Sequence, residues 1–96
     1  MTATEIIKKL QGYKRLMREE YGVETLALFG SYATGESKPE SDVDFLVKLS
    51  KPKLHYWVQL KAFLEGQLGH PVDLITDGKH LSQRFRNRVS KSMIHV

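Results

Sequence analysis

Apolar positions along this 96-residue chain recur at two different periods, and the alternation of those periods predicts the elements. Ile6, Leu10, Tyr13 and Met17 are spaced as on one face of a helix, with Lys8, Lys9, Arg15, Arg18 and Glu19 on the other faces. Thr2 and Glu5 have capping-box spacing at its start, and Gly22 is placed to end it. Val23 to Phe29 is dense in apolar residues and predicts a mostly buried strand running into Gly30-Ser31. Residues 30–41 are rich in turn formers, with room for one short helical turn around Tyr32 and Ala33. A second strand is predicted over Asp42 to Leu49, and Lys51-Pro52-Lys53 breaks it. From Leu54 to Leu68 the spacing is helical again, with Trp57, Leu60, Leu64 and Leu68 on one face and Gly69 as the stop. Pro71 to Ile75 predicts a third strand and Asp77-Gly78 a turn. Leu81, Phe85 and Val89 mark a last helix whose solvent side carries Arg84, Arg88 and Lys91. The tail Met93-Ile94-His95-Val96 suits a final strand or a surface for a partner.

The predicted order is helix, strand, strand, helix, strand, helix, without repeats or internal linkers. A helix joining the second and third strands is long enough for a parallel crossover. The turn-rich segment between the first and second suits an antiparallel pair. The fold class is therefore α/β, a small mixed sheet covered by helices, with residues 1–96 forming a single domain.

Composition narrows the function classes. A hydrophobic share of 41% with 27% charged residues is that of a globular protein and excludes whole-chain disorder. No apolar run approaches the ~18 residues of a membrane helix, and the first residues lack a basic start followed by an apolar signal core. The absence of cysteine excludes disulfides, thiolate metal sites and a cysteine nucleophile, and is compatible with a reducing cytoplasm. The net charge of +4 is unevenly placed: residues 1–50 carry a net −1 and residues 51–96 a net +5. An acidic cluster in one half and a basic surplus in the other suit a metal–phosphate ligand.

Asp42 and Asp44 stand two apart on the second predicted strand, so both carboxylates are expected on one face with Cα atoms about 7 Å apart. Like charges at that spacing raise each other's pKa unless a cation lies between them, and oxygen-only ligands favour Mg²⁺ or Mn²⁺ over Zn²⁺. The plain alternative is a solvated strand start with both aspartates facing water. Gly30-Ser31 offers backbone N–H groups and a hydroxyl at a strand exit, the parts of a phosphate cradle. An ordinary strand-to-turn exit accounts for the same dipeptide. If the first two strands pair antiparallel, the cradle and the carboxylates meet at one end of the sheet. The chain has no Gly-x-Gly-x-x-Gly, no Walker-type Gly-Lys-Ser/Thr, no EF-hand ligand set and no nucleophile elbow around Ser31. His55, His70, His80 and His95 fit no zinc spacing.

Gly30-Ser31, ten residues and then Asp42-x-Asp44 resembles the motif of minimal nucleotidyltransferases in the DNA polymerase beta superfamily. The resemblance extends through Leu28 to Glu36, Ser41 to Val47, Val72 to Ile75 and the C-terminal stretch from Arg86 to Val96, nearly the whole chain. It departs at Thr34, where many members carry Arg, which removes a basic contact near the nucleotide. The resemblance implies a palm-like nucleotidyltransferase fold and a two-metal mechanism with ions ~3.5–4 Å apart. In it Asp42 and Asp44 bridge Mg²⁺ or Mn²⁺, and Asp73 completes the site and helps take the acceptor proton. Gly30 and Ser31 hold the β- and γ-phosphates of ATP. It further implies a small helical HEPN partner, many of which are RNase toxins, with this chain as the antitoxin that adenylylates it in the cytoplasm. Association as a homo- or hetero-oligomer is compatible with that pairing. Two other readings stand beside it: an antitoxin acting by contact alone, and a nucleic-acid binder using Lys79, Arg84, Arg86, Arg88 and Lys91, a run without acids.

Overall fold

The computed structural model describes residues 1–51 and 53–96. Helices α1 (Ala3–Gln11) and α2 (Lys14–Tyr21) lead into strand β1 (Val23–Phe29) and a one-turn helix α3 (Gly30–Thr34). Strand β2 (Val43–Leu49), helix α4 (Leu54–Leu68), strand β3 (Val72–Thr76), helix α5 (Gln83–Ser90) and the two-residue strand β4 (Ile94–His95) follow. The sheet order is β3-β2-β1-β4. β1 pairs antiparallel with β2 and with β4, and β2 pairs parallel with β3 through the α4 crossover. This is the mixed sheet that the loop lengths predict. The predicted break at Lys51-Pro52-Lys53 falls in part on Pro52, which lies outside the described residues.

One expectation fails at the N-terminus. The predicted single helix from Thr2 to Gly22 is divided at Gly12-Tyr13, where the Tyr13 N–H turns back to the Leu10 carbonyl at 2.9 Å. Glycine is the weakest helix former after proline, and the break brings Tyr13 edge-on to Phe63, 5.4 Å between ring centres. The capping box at Thr2 and Glu5 is present, and Gly22 and Gly69 end their helices in the left-handed conformation.

The pleat of β2 divides the molecule. Val43, Phe45 and Val47 are fully buried and pack with Leu26 and Leu28 of β1, Leu74 of β3, and Ile6, Leu10, Met17, Leu60 and Leu64 of the helices. Each such side chain contributes roughly 1.5–3 kcal/mol by leaving water, so this face carries most of the stability. The opposite face carries Asp44, Leu46 and Lys48. There α5 packs against the β1 exit, with Phe85 against Phe29 at 5.9 Å between ring centres. Asp44, Leu46 and Ile75 on that face remain partly exposed. No described helix is long and apolar enough to cross a membrane.

Candidate active site

Antiparallel register places Phe29 opposite Asp44, and parallel register places Asp44 opposite Asp73. Register partners share a face of the sheet, so both carboxylates rise from the partly exposed face at its β1-exit end. Gly30, the next residue after Phe29, has φ +74°. A Cβ built there would overlap Oδ2 of Asp44 and lie 3.1 Å from its Cγ. Only glycine allows the β1 exit to approach this carboxylate so closely.

After Gly30, α3 closes a single turn. The Ser31 carbonyl accepts hydrogen bonds from the Thr34 hydroxyl at 3.2 Å and from the Glu36 N–H at 2.9 Å. Thr34 is therefore a local brace of the turn. Lys38 and Ser41 close the following turn through Lys38 N–H to Ser41 Oγ and Ser41 N–H to the Lys38 carbonyl, both 2.9 Å, and deliver the chain to Asp42.

The three aspartates occupy different environments. Asp73 is exposed between the buried Val72 and Leu74. Asp44 is half-buried, and its pKa is pushed up to about 6, first by burial, then by the charges of Asp73 and Asp42, and by a hydrogen bond with the Asp73 carboxyl. Asp42 is exposed and lies one residue before β2 begins, and its charge is among those that raise the Asp44 pKa. The fold thus brings Asp44, Asp73 and Gly30 together, with Asp42 exposed just before β2 and near enough for its charge to act on Asp44. Among the described residues no three carboxylates or imidazoles are gathered into a finished cation cage. The donor set still fits a hard divalent cation. All its groups are carboxylates, and the Asp44 pKa, raised first by burial and then by the charges of Asp73 and Asp42, marks a place where a positive charge would favour the ionised carboxylate.

The wall on the β1 side was not legible as such in the sequence. The spacing of Phe85 marks a core-facing helix position, and the structure sets it on the carboxylate face against Phe29. The basic run on α5 is partly engaged within the protein: Arg86 lies 3.1 Å from the Asp77 carboxylate, and the Arg88 guanidinium stacks on Phe85 at 5.5 Å. These contacts make the run in part structural, which weakens the nucleic-acid reading.

Residues 10–96 match the family model described as nucleotidyltransferase domain. The protein adenylyltransferase MntA of Thermococcus cleftensis is 42% identical, covering 100% of this chain and 97% of that protein. A candidate protein adenylyltransferase of Methanocaldococcus jannaschii is 35% identical over 99% of this chain and 98% of its own length. Among solved structures, one of a candidate minimal nucleotidyltransferase is 30% identical with a TM-score of 0.79, covering 98% of this chain and 95% of that chain. A toxin–antitoxin complex with AMP-PNP shares the fold, with a TM-score of 0.66 at 23% identity, covering 99% of this chain and 72% of that chain.

Proposed function

The chain belongs to the nucleotidyltransferase domain family, and on that premise we propose that it transfers AMP from ATP to a hydroxyl group of a partner protein. The observation that carries this reading is the Asp44–Asp73 pair set against a glycine that can only be a glycine. The acceptor hydroxyl oxygen forms a bond to the α-phosphorus. The bond from that phosphorus to the β-phosphate oxygen breaks, and pyrophosphate leaves. Asp73 receives the hydroxyl proton, with its exposed position open to an incoming acceptor. Asp44 and Asp42 would hold the divalent cation, Mg²⁺ or Mn²⁺, with Asp73 as a further ligand. When bound, that cation supplies charge neutralisation to the triphosphate and lowers the acceptor hydroxyl's pKa. Gly30 and Ser31 hold the β- and γ-phosphates through backbone N–H groups and the serine hydroxyl.

The acceptor is a small helical HEPN-type protein, and this chain is its antitoxin, acting in the cytoplasm. Two features support the pairing: the chain spans almost all of a relative named as a protein adenylyltransferase, and it shares its fold with the toxin–antitoxin complex. Transfer chemistry is tested with ATP labelled at either the α- or the γ-phosphate. The acceptor should retain α-label and no γ-label; retention of γ-label would make this a kinase and overturn the reading.

Ser31→Ala removes one hydroxyl donor and leaves the backbone cradle, so ATP binding should weaken by ~1–2 kcal/mol and remain measurable. Isothermal titration with ATP and Mg²⁺ checks this. Unchanged affinity would place the triphosphate elsewhere.

A further inference from the structure

β3 is an edge strand of five residues, and it carries Asp73 with sheet partners on one side only. On that inner side the Pro71 carbonyl accepts the Val43 N–H at 3.0 Å, and the Asp77 N–H reaches the Val47 carbonyl at 2.7 Å. Odd-numbered residues of β3 therefore turn their backbone groups toward β2, and Val72 and Leu74 turn theirs to the open edge. Two side chains of α4 hold these outward groups. The Glu65 carboxylate accepts the Val72 N–H at 3.0 Å, and the Trp57 indole Nε1–H donates to the Leu74 carbonyl at 3.1 Å. Both bonds are partly buried. They fall on the residues immediately before and after Asp73, and the two side chains that make them stand eight residues apart on one helix.

We propose that Trp57 and Glu65 are positioning residues, a two-point clamp through which α4 fixes the backbone of Asp73 opposite Asp44. An unclamped edge strand would fray, because its outward backbone groups exchange freely with water. The Asp44–Asp73 spacing would then be averaged over several arrangements, of which only one binds a cation well. Support of this kind around metal ligands typically changes affinity 10–100-fold when removed. The clamp does not reach Gly30-Ser31, which β1 and α3 place independently. The inference rests on the proposed role of the two carboxylates in holding the cation.

The test uses the whole chain with Mn²⁺ alone as probe, followed by water-proton relaxation, together with amide hydrogen exchange at Val72 and Asp73. Glu65→Ala should speed exchange at Val72 and weaken Mn²⁺ binding about 10-fold or more. Glu65→Gln, which keeps an acceptor oxygen, should recover most of the affinity, an outcome that lost bulk or charge would not give. Trp57→Phe keeps the ring and loses only the donor; it should also weaken Mn²⁺ binding while thermal unfolding stays cooperative. If Glu65→Ala fails to fold, Trp57→Phe decides. Wild-type affinity in a folded Trp57→Phe or Glu65→Ala protein would overturn the clamp alone. A wild-type chain that binds no Mn²⁺ would overturn the carboxylate reading and the clamp with it.

Discussion

Asp44→Asn is expected to abolish nucleotide transfer and at the same time to make the cation-free protein more stable. The activity loss follows from the proposed role of Asp44 as a ligand of a cation that would stabilise transition-state charge by several kcal/mol, so a fall on the order of 10³-fold or more is expected. The stability gain follows from the carboxylate's own titration. Asp44 titrates near 3.8 in the unfolded chain and at about 6 when folded, so between those values the folded state binds the extra proton. Its favourable contribution is complete below about pH 4 and is lost as the pH rises through about 6. Taken in full the gap is worth ~3 kcal/mol, and solvent screening at this partly open position reduces it to about 1–2 kcal/mol. The asparagine variant carries no such penalty. Above pH 6 it should melt several degrees higher than the wild type, at roughly 4–8 °C per kcal/mol for a chain of this size. Below pH 4 the two should coincide, and saturating Mg²⁺ should narrow the difference by stabilising the wild type alone. Calorimetry across pH 3.5–8 with and without Mg²⁺ checks all of this. A variant less stable than wild type at neutral pH would show that burial and the neighbouring charges do not disfavour the ionised carboxylate.

Gly30→Val should be as damaging, by a different route. The left-handed backbone costs an L-residue about 1–2 kcal/mol, and a branched side chain is among the worst tolerated there. The added Cβ also overlaps the Asp44 carboxylate, and relieving such an overlap typically costs a further 1–3 kcal/mol. A total loss of about 2–5 kcal/mol is expected in urea unfolding, with ATP binding and transfer both lost. The sequence suggests that a side chain at this position crowds the approaching phosphate; the structure places Asp44 in its way first. Gly66→Ala is the internal control, since that helical glycine has no atom within 4 Å of an added Cβ and no positive φ. It should stabilise α4 by up to about 1 kcal/mol with activity unchanged. Equal tolerance at the two glycines would remove the argument for the close approach at Gly30.

What was legible in the sequence was whatever depends on local periodicity. The runs Val23–Phe29 and Leu54–Leu68 are bounded by Gly22, Gly30 and Gly69, and their limits match the strand and helix observed. The crossover length set the parallel pairing of β2 with β3. The break at Gly12-Tyr13 escaped because the apolar spacing from Leu10 to Tyr13 to Met17 passes through it without a change of phase. The exact start of β2 at Val43 escaped because Asp-Val-Asp has strand alternation whether or not its first residue is in the strand. The Asp44–Asp73 contact depends on a register between β2 and β3 that no spacing within either strand specifies. The clamp from Trp57 and Glu65 lay further out of reach. Trp57 falls on the apolar stripe of α4 and reads as core, and nothing in the pattern tells that its indole N–H meets the edge of β3.

Whether this chain acts by chemistry or by contact is decided by the intact mass of its HEPN-type partner. Incubated with the wild-type chain, ATP and Mg²⁺, the partner should gain the mass of one or more AMP groups and keep it after the two proteins are separated. Omitting ATP or the cation should leave it unchanged, as should Asp44→Asn, although the variant still binds. A partner that is fully inhibited yet unmodified in the complete mixture would contradict the transfer account and leave a binding antitoxin in its place.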